Sequence, residues 1–171
     1  ENMSVRRIEK ASGDVVASYI HGGGRIGAIV AGNGVDTEEA KTALTNVAMQ
    51  IAALNPRFWD KSNVTEDVLA EEKKIALALM DQDPKMASKP QQVKEKIIDG
   101  KMNKFYEENC LLQQEFVKDN AFTVEKYIAS AAKALGGCVK FVDAVSFAKG
   151  EGIAEEEEDV AAEVAAQMAG K

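Results

Sequence analysis

The chain has one histidine, two cysteines, three prolines and one tryptophan among 171 residues. This scarcity limits the available chemistry. Cys110 and Cys138 show no CxxC or Cys/His ligand spacing, and with a single histidine a zinc site would need other ligands. The two thiols are expected to be free, in a reducing compartment, each packed as a small apolar side chain; a disulfide between them is the alternative reading. No run of about 18 apolar residues occurs, so no transmembrane helix is expected. Positive charge is also short. Lys and Arg number 21 against 28 Asp and Glu, giving a net charge of −7. That weighs against duplex nucleic acid or an anionic membrane as the main partner, since both select basic surfaces. The opening "ENMSVRRIEKASGD" has neither the apolar stretch of a signal peptide nor the character of a transit peptide. It reads as sequence from within a domain, and the expectation is a piece of a longer protein.

What is present suits a folded body. Hydrophobic residues make up 46% of the chain, enough for a core in one domain, with or without an appendage. Residues 5–11 and 14–20 are short and rich in β-branched residues, with Ser12-Gly13-Asp14 between them, and read as a hairpin. "RIGAIVAG", 25–32, reads as the third strand of an antiparallel meander. Asp36 or Thr37 then caps a helix whose Ala40, Leu44, Val47, Ile51 and Leu54 recur at spacings of three and four, and Pro56 ends it.

Two further helices are expected, 66 to about 82 and 91 to about 107, joined by the proline-bounded turn "DPKMASKP". Val68, Ile75 and Leu79 on the first, and Val93, Ile97, Ile98, Met102 and Phe105 on the second, suit the seam of an antiparallel helical hairpin. Such a hairpin leaves much of each helix uncovered, so it is expected to project and to meet another chain. Thr123 caps a helix over 124–135, stopped by Gly136-Gly137, and "CVKFVDAVSFAKG" reads as a strand, or two with a bulge, returning to the first sheet. The chain closes on four glutamates, 155–158, at the start of an alanine-rich helix. The fold class is α+β: a small antiparallel sheet packed with helices, an inserted helical hairpin and a C-terminal helix module. The expected divisions are 1–61 and 108–150 for the body, 62–107 for the hairpin and 151–171 for the terminal module.

One stretch invites a catalytic reading. In "YIHGGGRIGAIV", Gly22, Gly24 and Gly27 match GxGxxG by letters. A dinucleotide site needs a helix after those glycines, and a strand pattern follows instead. The bland reading is a wide turn whose glycines take positive φ. No Walker-type loop occurs. His21 as a general base would need a nucleophile or carboxylate beside it, and nothing near it in sequence supplies one. Arg25 reads as a solvated or paired strand residue, and Glu155–Glu158 lacks the alternating oxygen ligands of a calcium loop. No catalytic constellation, metal site or cofactor is expected.

Several longer motifs carry a resemblance. "ENMSVRRIEKASGDVVASYIHGGGRIGAIV", "VAMQIAALNPRFWD", "KPQQVKEKIIDGKMNKFYEENCLLQQEFVKDNAFTVEKYI" and "GEGIAEEEEDVAAEVAAQM" follow one another in the order found in the C-terminal half of the translation elongation factor Ts family, which the chain resembles along essentially its whole length. The resemblance implies a non-enzymatic guanine-nucleotide exchange factor for elongation factor Tu, acting in the cytoplasm or an organelle matrix. It implies a coiled-coil hairpin used in homodimer contacts, here carrying Val68, Ile75, Leu79, Val93, Ile97 and Phe105. It implies contacts to elongation factor Tu from His21 with Gly22 and Gly23, from the pair Phe116 and Val117, and from Met168, with Gln167 as a rival for that last position. The sequence departs from the family in two places. No Thr-Asp-Phe-Val segment occurs, so these residues are expected to bind but to exchange poorly, and Gln114-Glu115 replaces the more usual Gln-Pro before Phe116.

Overall fold

The computed structural model describes residues 4–134 and 139–153, the side chain of Ala87 excepted. Strand β1 (Val15–His21) turns into β2 (Ile26–Gly34), antiparallel, with His21 opposite Ile26. Two further strands, β3 (Glu115–Phe116) and β4 (Asp119–Thr123), form a short hairpin of their own. The last strand, β5 (Val139–Ala148), pairs with the free edge of β2, giving the sheet order β1-β2-β5. Its pairing shifts register beside Ala31 and Gly32, where Val142 is the extra residue. The expected return of this segment to the first sheet, with a bulge, is therefore found.

Helix α1 (Glu38–Leu54) covers one face of the sheet. Thr37 Oγ1 accepts a hydrogen bond from the Ala40 amide at 3.2 Å, Glu38 and Glu39 sit in the first turn, and Asn55 ends the helix at φ 44° ahead of Pro56. Ala40, Leu44, Val47 and Ile51 are buried against Val15, Ala17, Ala28, Val30, Val139 and Ala144. Each fully buried Val, Leu or Ile of this set contributes about 1.5–3 kcal/mol. Leu54, expected in the same stripe, is half exposed in the final turn of the helix, outside the core cluster. Helix α5 (Val124–Ala134) closes the core, with Thr123 accepting from the Lys126 amide at 3.3 Å.

The segment 5–11 is not a strand, and the expected hairpin with 14–20 does not form. Its apolar residues Val5 and Ile8 are three apart rather than alternating, and they are 81% and 82% exposed. The segment is held by its arginines instead. Arg6 donates to the Gly152 carbonyl at 2.6 Å, and Arg7 lies over the Phe147 ring and pairs with Glu151 at 3.3 Å. Gly13 then passes close against β2, and Asp14 accepts from the Gly34 amide at 3.0 Å. A Cβ at residue 13 would stand 2.5 Å from the Gly32 carbonyl oxygen. Gly13→Ala is expected to destabilise the chain by about 1–3 kcal/mol in thermal or urea unfolding, because the obstructing atom is backbone and the strand has to shift.

The helical hairpin comprises α2 (Glu66–Gln82), the single-turn α3 (Pro84–Ala87) inside the connecting loop, and α4 (Gln91–Asn109). Its root is clamped to the body. The Phe58 amide donates to the Asn109 carbonyl, the Leu111 amide to Phe58 and the Leu112 amide to Trp59, at 2.9–3.0 Å. Asp60 accepts from Gln113 Nε2 at 2.8 Å while the Lys61 amide donates to Gln113 Oε1 at 3.0 Å. Burial pushes the Asp60 carboxyl up, but hydrogen bonds from Ser62, Gln113 and the Ser62 and Lys61 amides outweigh it and leave the group below its ordinary range.

The seam of the hairpin holds the expected Ile97, Ile98, Met102 and Phe105 of α4 but differs from expectation along α2. Ala76 and Met80 of α2 and Ile98, Met102 and Phe105 of α4 are buried, with Leu69, Leu77 and Ile97 partly so, and Val68 packs at the root. Ile75, Leu79 and Val93 are outside the seam, at 47%, 56% and 39% exposure. The seam runs one residue later along α2, about 100° round the helix.

Candidate partner-binding surface

The glycine turn is what its composition requires. Gly22, Gly23 and Gly24 all have positive φ, at 60°, 65° and 93°, and the amides of Gly24 and Arg25 both donate to the His21 carbonyl. Gly27 lies within β2, so the helix N-terminus of a dinucleotide site is absent after GxGxxG. His21 is exposed at the end of β1. Tyr19, two residues earlier and on the same strand face, places its hydroxyl 3.0 Å from His21 Nδ1, the only side-chain hydrogen bond of this ring among the described residues. The Tyr19 ring packs in turn against the core. The imidazole is thus oriented by a phenol anchored from below. Sequence reasoning passed over Tyr19, although its i, i+2 spacing from His21 in a strand was the available signal.

The structure separates Phe116 from Val117. Phe116 is 2% exposed and stacks on Tyr127, ring centroids 4.0 Å apart, so it belongs to the core and not to the surface expected for it. Val117, the next residue, is 49% exposed. The reason is the end of the strand: β3 stops at Phe116, whose side chain faces the core, and Val117 is the first residue of the turn into β4. The backbone between them is fixed by Gln50 of α1, which is fully buried. Gln50 Oε1 accepts from the Val117 amide at 2.9 Å, and its Nε2 donates to the Glu115 carbonyl at 2.9 Å and to Gln114 Oε1 at 3.2 Å. Gln114, also buried, donates onward to the Glu108 carbonyl at 3.0 Å. Neither glutamine was singled out from the sequence. The signal was a polar residue at position 50 inside the buried stripe of α1, three after Val47 and one before Ile51. The hydrogen bonds found link Val117 to α1 and none links it to the His21 turn, so the two stand as separate features of one body.

Cys110 is buried at the hairpin root, and burial, with a smaller contribution from the Asp60 carboxylate, raises its thiol from 9.0 to about 11. At pH 8 that shift alone lowers the thiolate fraction by about 100-fold. In a Cys138→Ser background, Cys110 is expected to react with Ellman's reagent at least 100-fold more slowly than the urea-unfolded chain. Met168, Gln167, Cys138 and the glutamates 155–158 lie outside the described residues. Among the described residues, no group of three or more His, Cys, Asp or Glu is placed to hold a metal ion, and no helix is long and apolar enough to cross a membrane.

Comparison with known proteins now bears on the collinear motifs. The family described as Elongation factor TS matches residues 1–151. The chain belongs to the elongation factor Ts family. The protein named Elongation factor Ts from a Nitratiruptor species is 46% identical over 175 residues, covering 98% of this chain and 56% of that protein. The one from Clostridium kluyveri is 43% identical over 176 residues, covering the whole chain and 56% of that protein. One from Clostridium botulinum is 45% identical, covering 98% of the chain and 54% of that protein. The chain therefore spans a little over half the length of the elongation factors Ts it matches. Within it, "VAMQIAALNPRFWD" forms the end of α1 and the clamped connector, and "CLLQQEFV" forms the hairpin root and β3. These two stretches fall where the hairpin and the Val117 loop are tied to the body.

Proposed function

We propose that the chain binds elongation factor Tu and favours its nucleotide-free state, serving guanine-nucleotide exchange in translation elongation without covalent chemistry of its own. The observation that carries this is the identity of 43–46% to elongation factors Ts over nearly the whole chain. The exposed His21 and Val117 support it: the His21 ring is held by the half-buried Tyr19, and the backbone amide of Val117 by the buried Gln50. A factor that binds the empty GTPase more tightly than the loaded one must weaken nucleotide binding by the same factor. The family's Thr-Asp-Phe-Val segment is not among these 171 residues. We expect them to bind elongation factor Tu while accelerating GDP release less than a full-length elongation factor Ts. Release of a fluorescent GDP analogue from elongation factor Tu measures this directly. Acceleration equal to the full-length factor would refute the second clause.

A second activity is favoured by a specific feature. Ile75 and Leu79, four apart on α2, and Val93 on α4 leave apolar side chains uncovered on the hairpin. Ile75 and Leu79 line an open groove of about 350 Å³ together with Met102, Phe105, Lys104 and Glu72. We propose that this face serves self-association, giving a homodimer through the hairpin.

A further inference from the structure

We infer that Gln50 is a positioning residue for partner binding, acting through Val117; this rests on the reading of Val117 as a contact to elongation factor Tu. Gln50 sits on α1 with no exposed surface of its own, so it cannot touch a partner. What it holds is the backbone on either side of the buried Phe116. One amide group grips the Glu115 carbonyl and the Val117 N–H, each at 2.9 Å. A primary amide is suited to this because it carries a donor and an acceptor on one planar group. β3 has only two residues and its pairing with β4 shifts register between them, so the ladder itself does little to fix this segment.

The neighbouring residues have anchors of their own, and none of these reaches the Val117 amide. Phe116 is anchored by Tyr127, Gln114 by the Glu108 carbonyl and by its own carbonyl accepting from the Val124 amide at 3.0 Å, and Lys118 reaches Asn46 at 2.6 Å. Gln50 supplies the contact that sets how far the Val117 backbone stands from α1. A half-exposed valine with a pinned amide loses little conformational freedom on docking, which is the physical content of preorganisation. Without the pin, the same valine is present but its backbone samples other positions.

Two measurements test this. In the unaltered chain, the Val117 amide should be protected from hydrogen exchange by tenfold or more relative to an open loop, although its side chain is exposed; an unprotected amide overturns the inference without any variant. The second is a cycle of Gln50→Met and Val117→Ala, with affinity for nucleotide-free elongation factor Tu as the readout and thermal unfolding as the check on folding. Methionine keeps the volume and removes both hydrogen-bonding atoms. Gln50→Met should weaken binding three- to tenfold in the unaltered chain and less than twofold in the Val117→Ala background. Equal losses in both backgrounds show a merely structural role and overturn the inference, as does full affinity of Gln50→Met. If Val117→Ala alone binds with full affinity, the reading of Val117 as a contact fails, and the inference fails with it.

Discussion

Val117→Asp should weaken the complex with elongation factor Tu by about 100-fold or more while changing the stability of the free chain by no more than about 0.5 kcal/mol, because a carboxylate costs little in water and several kcal/mol when a partner covers it unpaired. The asymmetry follows from position. Val117 is half exposed in the free chain, so an aspartate there stays solvated, and the Val117 amide still donates to Gln50. Phe116 gives the opposite pattern. Phe116→Ala removes a ring stacked on Tyr127 from the core and should cost about 3–5 kcal/mol of stability, with any loss of binding following from unfolding. Isothermal titration with elongation factor Tu, read beside urea unfolding of the same variants, separates the two. Full affinity of Val117→Asp would remove that loop from the interface.

Excising residues 62–107 and joining the ends by a short glycine linker should leave a folded body that no longer self-associates. The fold supports the first half of this expectation. The clamp between Phe58, Trp59 and Asn109, Leu111, Leu112 lies outside the excised segment, and the core beneath α1 takes no residue from the hairpin. What is lost is the small cluster of Val64, Phe105 and Cys110, which leaves Phe58 and Cys110 open to water. The melting temperature is therefore expected to fall by several degrees, in line with about 1–2 kcal/mol for a domain of this size. The second half rests on the uncovered Ile75, Leu79 and Val93. Leu79→Glu in the intact chain should reproduce the loss of dimer without the loss of stability, since Leu79 is more than half exposed. Sedimentation of both variants at micromolar concentration is the check. A deletion variant that sediments as a dimer would place self-association on the body instead.

These predictions depend on side chains whose orientation was legible to different degrees. The stripe of α1 could be read because its apolar residues recur with the helical period and Thr37 caps its start. The glycine turn could be read because three consecutive glycines before a strand serve few other purposes. The segment 5–11 was misread on composition alone. Its β-branched residues lack alternation, and its arginines are bound to Glu151 and Gly152, nearly 150 residues away, which no local pattern shows. The hairpin was legible as two helices, and the α4 side of its seam in Ile97, Ile98, Met102 and Phe105, but the face that α2 turns to it was not. Ile75 and Leu79 satisfy the same spacing as Ala76 and Met80, and only the packing of the partner helix decides between the two faces. At the candidate surface, the resemblance named a pair, and the turn that begins after Phe116 divides it into one core residue and one exposed residue. Gln50 went unnoticed because a buried glutamine among apolar residues acquires meaning only when the backbone it holds is in view.

The central claim is that the chain grips elongation factor Tu and does so best when the nucleotide is gone. Titration of the 171-residue chain into elongation factor Tu, with and without saturating GDP, tests it most directly. The account predicts a saturable complex with the nucleotide-free GTPase and an affinity reduced at least tenfold by GDP, as linkage requires of any factor that promotes release. A chain that unfolds cooperatively yet forms no complex with nucleotide-free elongation factor Tu, or binds it equally with and without GDP, would contradict it.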